Sequence, residues 1–295
     1  MIPYIIVHPL ALGPLKLQPF GLLVATGVLV GIALVNRRAR RFGVDVQQLE
    51  SFLTWILVSG FIFGHVLDTV MYYPEELLTQ PWRLFLLWEG LSSFGGFIGA
   101  TLGAVTWKFY RTEPWLKLGR RVLLRKLVRR EQPVELLPLS DLVMAVFPVA
   151  WIFGRMGCSV VHDHPGAFAT TSSPLAVAFG SGPVQDFYLF ALRYGSTPRY
   201  DLGLLEMLFA VVLSAGFALT WRRGGNRGWY VVAATVLYAP ARFSLDFLRA
   251  SVQDGGDVRY AGLTPAQWAC LLLFLYGVSL AGWLVRRERT ASVNA

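Results

Sequence analysis

The stretch SDLVMAVFPVAWIFGRMGCSVVHDHPG, residues 140–166, decides the fold. Ser140 or Asp141 suits the N-cap of a helix. The apolar run that follows is long enough to span a bilayer. Arg155 sits near the end of that run, just ahead of the polar cluster His162, Asp163, His164. A guanidinium at such depth is costly unless something pairs with it. The stretch therefore reads as a membrane span built around a charged site.

The rest of the chain agrees. Mean hydropathy is +0.50, and 55% of residues are hydrophobic against 15% charged, where a soluble domain carries about 25% charged. Apolar runs recur near residues 20–35, 52–72, 92–110, 202–221, 228–248 and 264–285, besides the quoted stretch. The expected fold class is all-α: a polytopic integral membrane protein of about seven transmembrane helices. All 295 residues form one membrane domain, with a small periplasmic insertion at 161–201, perhaps carrying short strands, and a basic cytoplasmic loop at 111–137. That loop reads as a basic amphipathic helix on the membrane surface. In the third run Gly95, Gly99 and Gly103 recur every fourth residue, which lets a neighbouring helix approach its backbone. Thr264-Pro265 is a good start for the last helix. The N-terminus lacks a basic region, so no cleavable signal peptide is expected.

Lysine and arginine alternate between loops. Those after the odd-numbered spans hold 18, and those after the even-numbered spans hold 5. The positive-inside rule then puts the N-terminus outside and the C-terminus inside. It also accounts for the net charge of +9 without nucleic acid. Cys158 and Cys270 both lie in apolar runs, which excludes a disulfide framework or thiolate metal site.

Arg155 and Arg242 are the only arginines inside apolar runs, and both fall in the outer half of the membrane. Two guanidiniums there suit a phosphate diester, whose oxygens match the fork. They could equally lock helices together by pairing with Asp68, Asp141, Glu206 or Asp246. Asp246 follows Arg242 by four residues, on the same helix face. His162 and His164 could supply a general base oriented by Asp163, or merely form a polar exit turned by Pro165-Gly166. A His-x-His metal site lacks an evident third ligand, so no metal is expected. Cys158 is more simply a small apolar filler than a nucleophile.

At Gly154-Arg155-Met156-Gly157 the chain resembles the bacterial prolipoprotein diacylglyceryl transferases, whose hallmark is Gly-Arg-x-Gly-Asn followed by a short polar run ending in glycine. The resemblance covers most of the chain. Phe20-Gly21 resembles an aromatic-glycine pair at the first span, and the segment from Trp88 through Gly95-Gly96 a tryptophan-to-double-glycine motif. Ser140-Asp141, Leu204-Leu205-Glu206, the segment from Tyr238 to Arg249, and Thr264-Pro265 with Gln267 resemble the family's later spans, with Arg242 on its essential arginine. The resemblance implies transfer of a diacylglyceryl group from phosphatidylglycerol to the lipobox cysteine of a prolipoprotein signal peptide. It implies no cofactor and a multi-pass location in the bacterial inner membrane. It places Arg155 and Arg242 in catalysis, to which the reading of the polar cluster adds His162 and His164. Asp141, Gly154, Gly157, Asp163, Glu206, Asp246, Gly95 and Gly96 become substrate-binding residues.

Four positions depart from the family pattern. Its histidine before the double glycine is Phe94, its tyrosine is Phe20, its asparagine after Gly-Arg-x-Gly is Cys158, and an arginine of the second span is His65. Phe94 cannot accept a proton, so the base must come from elsewhere, with His162 or His164 the candidates. A paralogue using a glycerophospholipid with another acceptor, and a non-catalytic lipid-binding scaffold, are the alternative readings. A transporter would show two similar halves with broken helices, which this sequence does not.

Overall fold

The computed structural model describes residues 1–13, 15–86, 90–118, 121–179, 190–193, 197–222, 228–254 and 256–293. Trp88 and Glu89, Arg120, Gly180, Gly182 and Pro183, Phe187, Arg223 and Arg227, and Gly255 lie outside the described residues. The chain is mostly helical. Its helices are α1 Pro19–Arg41, α2 Val46–Tyr72, α3 Pro74–Thr79, α4 Ser93–Phe109, α5 Leu137–Val161, α6 Leu202–Thr220, α7 Trp229–Leu245 and α8 Pro265–Val293. Six of them (α1, α2, α5, α6, α7 and α8) are long and apolar enough to cross a membrane. The remaining expected span falls on α4. With 17 residues it runs about 26 Å, short of a hydrocarbon core of about 30 Å. Large apolar side chains face outwards on the spans, as at Leu29, Val212 and Leu272, while charged groups lie inside. That inversion suits lipid as solvent.

Nine strands add to the helices: β1 Ile2–Val7, β2 Leu10–Leu12, β3 Leu15–Leu17, β4 Tyr110–Leu118, β5 Arg121–Arg129, β6 Pro165–Phe168, β7 Ala176–Phe179, β8 Phe190–Arg193 and β9 Thr197–Asp201. The chain divides into two compact units, Met1–Arg38 with Ser140–Ala295, and Ala39–Leu139.

In the first unit β6, β9, β7, β1 and β8 form one sheet in that order. β1 runs parallel to β7 and antiparallel to β8. The N-terminal strand thus joins a sheet made otherwise from the segment between α5 and α6. His162 ends α5 in the left-handed region, with φ of 53°, and turns the chain into the sheet. Asp201 caps α6 through a bond from the Leu204 amide at 3.0 Å. α8 opens as the sequence suggested. Thr264 and Gln267 bond reciprocally, Thr264 N to Oε1 at 3.0 Å and Gln267 N to Oγ1 at 3.2 Å, a capping box satisfying two end amides. Asp141 receives the amides of Tyr230 at 2.7 Å and Val231 at 3.1 Å. It therefore ties the start of α5 to the start of α7. Beside it the guanidinium of Arg38 stacks on Trp221 and Tyr230 and donates to the Trp221 carbonyl at 2.7 Å.

In the second unit α2 packs along α4. A Cβ on Gly95 would come within 2.6 Å of the Phe63 carbonyl, and Gly99 and Gly103 similarly face Ser59. The small-residue seam read from the sequence is thus a helix contact. The basic loop is not the amphipathic helix expected above. β4 and β5 make an antiparallel hairpin, Tyr110 opposite Arg129. Pro114 lies within the segment, where it would remove an amide and clash in a helix, whereas a two-stranded ribbon tolerates it at an unpaired edge.

Candidate active site

The two arginines singled out in the sequence converge on one carboxylate. Arg155 projects from the last third of α5 and is 4% exposed; Glu206 projects from the second turn of α6 and is 2% exposed. Arg155 Nε lies 3.1 Å from Glu206 Oε1, and Arg242 Nε, from α7, lies 3.4 Å from Glu206 Oε2. Glu206 is thus shared between the two cations. Arg242 Nη1 donates to Asp246 Oδ1 at 2.7 Å, the pair at four-residue spacing expected from the sequence. Among the described residues Nη2 of Arg242 has no partner. Asp246 accepts from Thr264 Oγ1 and lies 3.6 Å from Arg249, which also holds Asp257 at 3.0 Å.

Two aromatic residues complete the cluster and were not singled out beforehand. Trp151 donates to Glu206 Oε1 at 3.1 Å and lies under the Arg155 guanidinium, 4.6 Å from ring centre to Cζ. Tyr238 donates its hydroxyl to the same oxygen. Each stands four residues before one of the arginines on the same helix. That spacing was the available signal, since residues at i and i+4 share a helix face.

The polar cluster after α5 splits into two environments. His162 is nearly enclosed. Its Nδ1 meets Asp201 Oδ2 at 2.7 Å and its Nε2 meets the Ile5 carbonyl at 2.7 Å, and its ring stacks on Tyr4 at 4.0 Å. Both ring nitrogens are thus engaged, and neither is open to an incoming thiol unless one of those bonds breaks. His162 ties β1, α5 and the cap of α6 together, which departs from its expected role as a base. His164 is open to solvent in part. Its Nδ1 bonds Asp163 Oδ1 at 2.5 Å, and among the described residues its Nε2 has no partner. Cys158 Sγ, Asp163 and His164 lie within 4.8 Å of one another, a set of donors that does not include His162 and so differs from the His-x-His pair weighed in the sequence. Arg155 Nη1, however, lies 3.7 Å from the Cys158 sulfur, and its charge opposes a cation there.

Of the hallmark glycines, Gly157 serves packing and Gly154 is open. A Cβ on Gly157 would come within 2.9 Å of the Phe20 ring, while Gly154 has only Trp151 nearby, at 3.9 Å. Asp141 is not part of this cluster. It lies fourteen residues before Arg155 on α5, about 21 Å along the axis, where it caps α7. In the second unit Gly95 forms the α2 seam, and Gly96 beside it is more open, with the Gly60 carbonyl 3.8 Å from a built Cβ. Phe94 is on the exposed side of α4. His65 faces two carbonyls, Gly90 at 3.2 Å and Arg83 at 3.0 Å, and so anchors the loop before α4.

Comparison with known proteins bears on what this cluster does. The family model for prolipoprotein diacylglyceryl transferase matches residues 8–283. The phosphatidylglycerol–prolipoprotein diacylglyceryl transferase of Nitratidesulfovibrio vulgaris is 31% identical over 300 residues, covering 99% of this chain and 98% of the relative. That of Chromohalobacter salexigens is 29% identical, covering 94% and 92%. That of Pseudomonas putida KT2440 is 28% identical, covering 99% of each.

Proposed function

Since the chain belongs to the prolipoprotein diacylglyceryl transferase family, we propose that it moves the diacylglyceryl group of phosphatidylglycerol onto the lipobox cysteine of a prolipoprotein. The observation that carries this reading is the convergence of Arg155 and Arg242 on Glu206. Two guanidiniums fixed by one carboxylate present their remaining N–H groups in a set geometry, which suits a phosphate diester. The acceptor sulfur attacks the glyceryl carbon. A C–S bond forms, the C–O bond to phosphate breaks, and glycerol phosphate leaves with the electron pair. Charge grows on the departing phosphate oxygen, where preorganised donors lower the barrier most.

The acceptor thiol must also lose its proton, since a free thiol titrates at about 8.5. His164 serves as the base. Asp163 holds Nδ1 and leaves Nε2 for the incoming thiol. Asp246, Thr264 and Tyr238 hold the arginines in place. The 18-to-5 charge split supports an orientation in which the segment 161–201 is outside and the loop 111–137 inside. A cysteine introduced at Ser172, in the turn before β7, should react with a membrane-impermeant reagent from the outer side. Reaction only from the cytoplasmic side would reverse the orientation.

The function is tested with purified protein in proteoliposomes containing phosphatidylglycerol and a lipobox peptide. The peptide should gain one diacylglyceryl mass, with one glycerol phosphate released for each peptide modified. Phosphatidylethanolamine in its place should give no product. Glycerol phosphate released without peptide modification would point to another acceptor and contradict the proposal.

A further inference from the structure

The β4–β5 hairpin has no place in the transfer reaction, yet its surface is unusual. Each strand has nine residues, so the ribbon reaches about 30 Å. Trp115 is 68% exposed, Leu123 52% and Leu127 54%, and Leu116 is similarly open. Leu116 pairs with Leu124, while Leu127 points to the other face, so both faces of the ribbon carry exposed apolar groups. A two-stranded ribbon in water is marginal by itself, and exposed apolar surface of this kind marks an interaction surface. Exposed Arg125, Lys126 and Arg129 lie among these side chains. Aromatic and aliphatic groups interleaved with cations make up elements that lie in a membrane interface. The hairpin also continues directly from α4, since Phe109 ends the helix and Tyr110 starts β4. It therefore emerges where the apolar helix stops.

At the base of the hairpin lies a cleft of about 280 Å³ lined by Arg111, Arg130, Glu131 and Gln132. Arg130 is fixed in it. Its Nε donates to the carbonyls of Trp107 at 3.0 Å and Tyr110 at 3.1 Å, and its guanidinium lies 4.7 Å above the Trp107 ring. Among the described residues its two Nη atoms have no acceptor. Burial, with the like charge of Arg111, pushes the Arg130 guanidinium below its ordinary value. Arg111 itself is paired with Glu113 at 2.7 Å, so Arg130 is the cation of the cleft whose Nη atoms are open among the described residues.

We propose that the hairpin and its basal cleft bind the bilayer surface through anionic phospholipid. Arg130 takes a headgroup phosphate, the exposed Arg125, Lys126 and Arg129 draw the hairpin to net negative charge, and Trp115, Leu116, Leu123 and Leu127 enter the interfacial layer. The hairpin is thereby a second lipid contact, selecting charge rather than a particular headgroup.

The test uses the full chain in nanodiscs with a nitroxide on Leu123→Cys. Cys158 and Cys270 are buried, and unsubstituted protein controls for their labelling. Discs of phosphatidylcholine alone are compared with discs containing phosphatidylserine, which is anionic but not the proposed donor lipid. With phosphatidylserine the nitroxide should be relaxed by oxygen and shielded several-fold from a water-soluble nickel chelate. The shielding should fall in phosphatidylcholine and in Arg130→Gln. Should Arg130→Gln fail to fold, Arg125→Gln/Lys126→Gln on the exposed face should lose the shielding. A label that stays in water in every disc overturns the proposal. So does equal shielding in both lipids and in the variants. Inorganic phosphate protecting the cleft while the label remains in water would assign the cleft to a free anion, and likewise overturns it.

Discussion

Replacing Arg155 or Arg242 with glutamine should abolish diacylglyceryl transfer while the protein still inserts. The buried set Arg155, Arg242, Glu206 and Asp246 holds two cations and two acids. Either substitution removes one of the two guanidiniums from Glu206 while Asp246 keeps Arg249 at 3.6 Å, so the place meant for a phosphate becomes less positive. The departing phosphate also loses a charged donor. Removing one donor of this kind costs about 10²–10³-fold in turnover, and the less positive site puts the expected loss at the upper end or beyond. Lysine should rescue poorly, because a point charge cannot reach Glu206 and a phosphate together as the fork does. Breaking a buried ion pair also destabilises the fold, by about 3–5 kcal/mol. Arg155→Gln/Glu206→Gln separates the two effects, since it removes one charge of each sign. It should recover folded protein in the membrane but not activity. Recovery of transfer in that double variant would mean the arginines only lock helices together.

The two histidines should behave in opposite ways. His164→Ala removes the only one of the pair with an unengaged ring nitrogen among the described residues. It should lower turnover by about 10² or more and leave phosphatidylglycerol binding intact. His162→Ala removes the bonds to Asp201 and to the Ile5 carbonyl. A bond to a carboxylate contributes about 1.5–3 kcal/mol and one to a carbonyl about 0.5–1.5 kcal/mol. The variant should unfold at lower temperature in detergent, yet turn over near the normal rate per folded molecule. The assay therefore reports turnover against folded protein, not total protein. Full activity in His164→Ala with loss in folded His162→Ala would reverse the assignment and require the Ile5 or Asp201 bond to open during the reaction.

Much of this arrangement was legible because membrane spans are written locally. Twenty apolar residues and a glycine every fourth position each state their meaning within one segment. Arg155 and Arg242 stood out because arginine in an apolar run is costly. The convergence on Glu206 was not legible, because helix periodicity places a residue on a face without saying which other helix that face meets. The same holds for Asp141. An acid at a span's start reads equally as a ligand for substrate or as a cap for another helix, and only its bonds to Tyr230 and Val231 decide. The His162 environment was hidden for a related reason. Its carbonyl partner, Ile5, belongs to a strand 157 residues earlier that joins the sheet by non-local pairing. The hairpin was not legible because a basic, apolar-studded segment suits either a helix or a ribbon, and Pro114 is the one local residue that favours the ribbon.

The central claim is that Arg155 and Arg242 hold one lipid phosphate between them. Its most direct test is the affinity for phosphatidylglycerol, measured by native mass spectrometry on the detergent-solubilised protein, the two single glutamine variants and the double variant. Residues that share one ligand group are strongly non-additive. Each single variant should lose nearly all specific binding, and the double variant should lose little more than either alone. If the losses instead multiply as independent contributions, or if both single variants bind as the unsubstituted protein does, the two arginines do not share a phosphate.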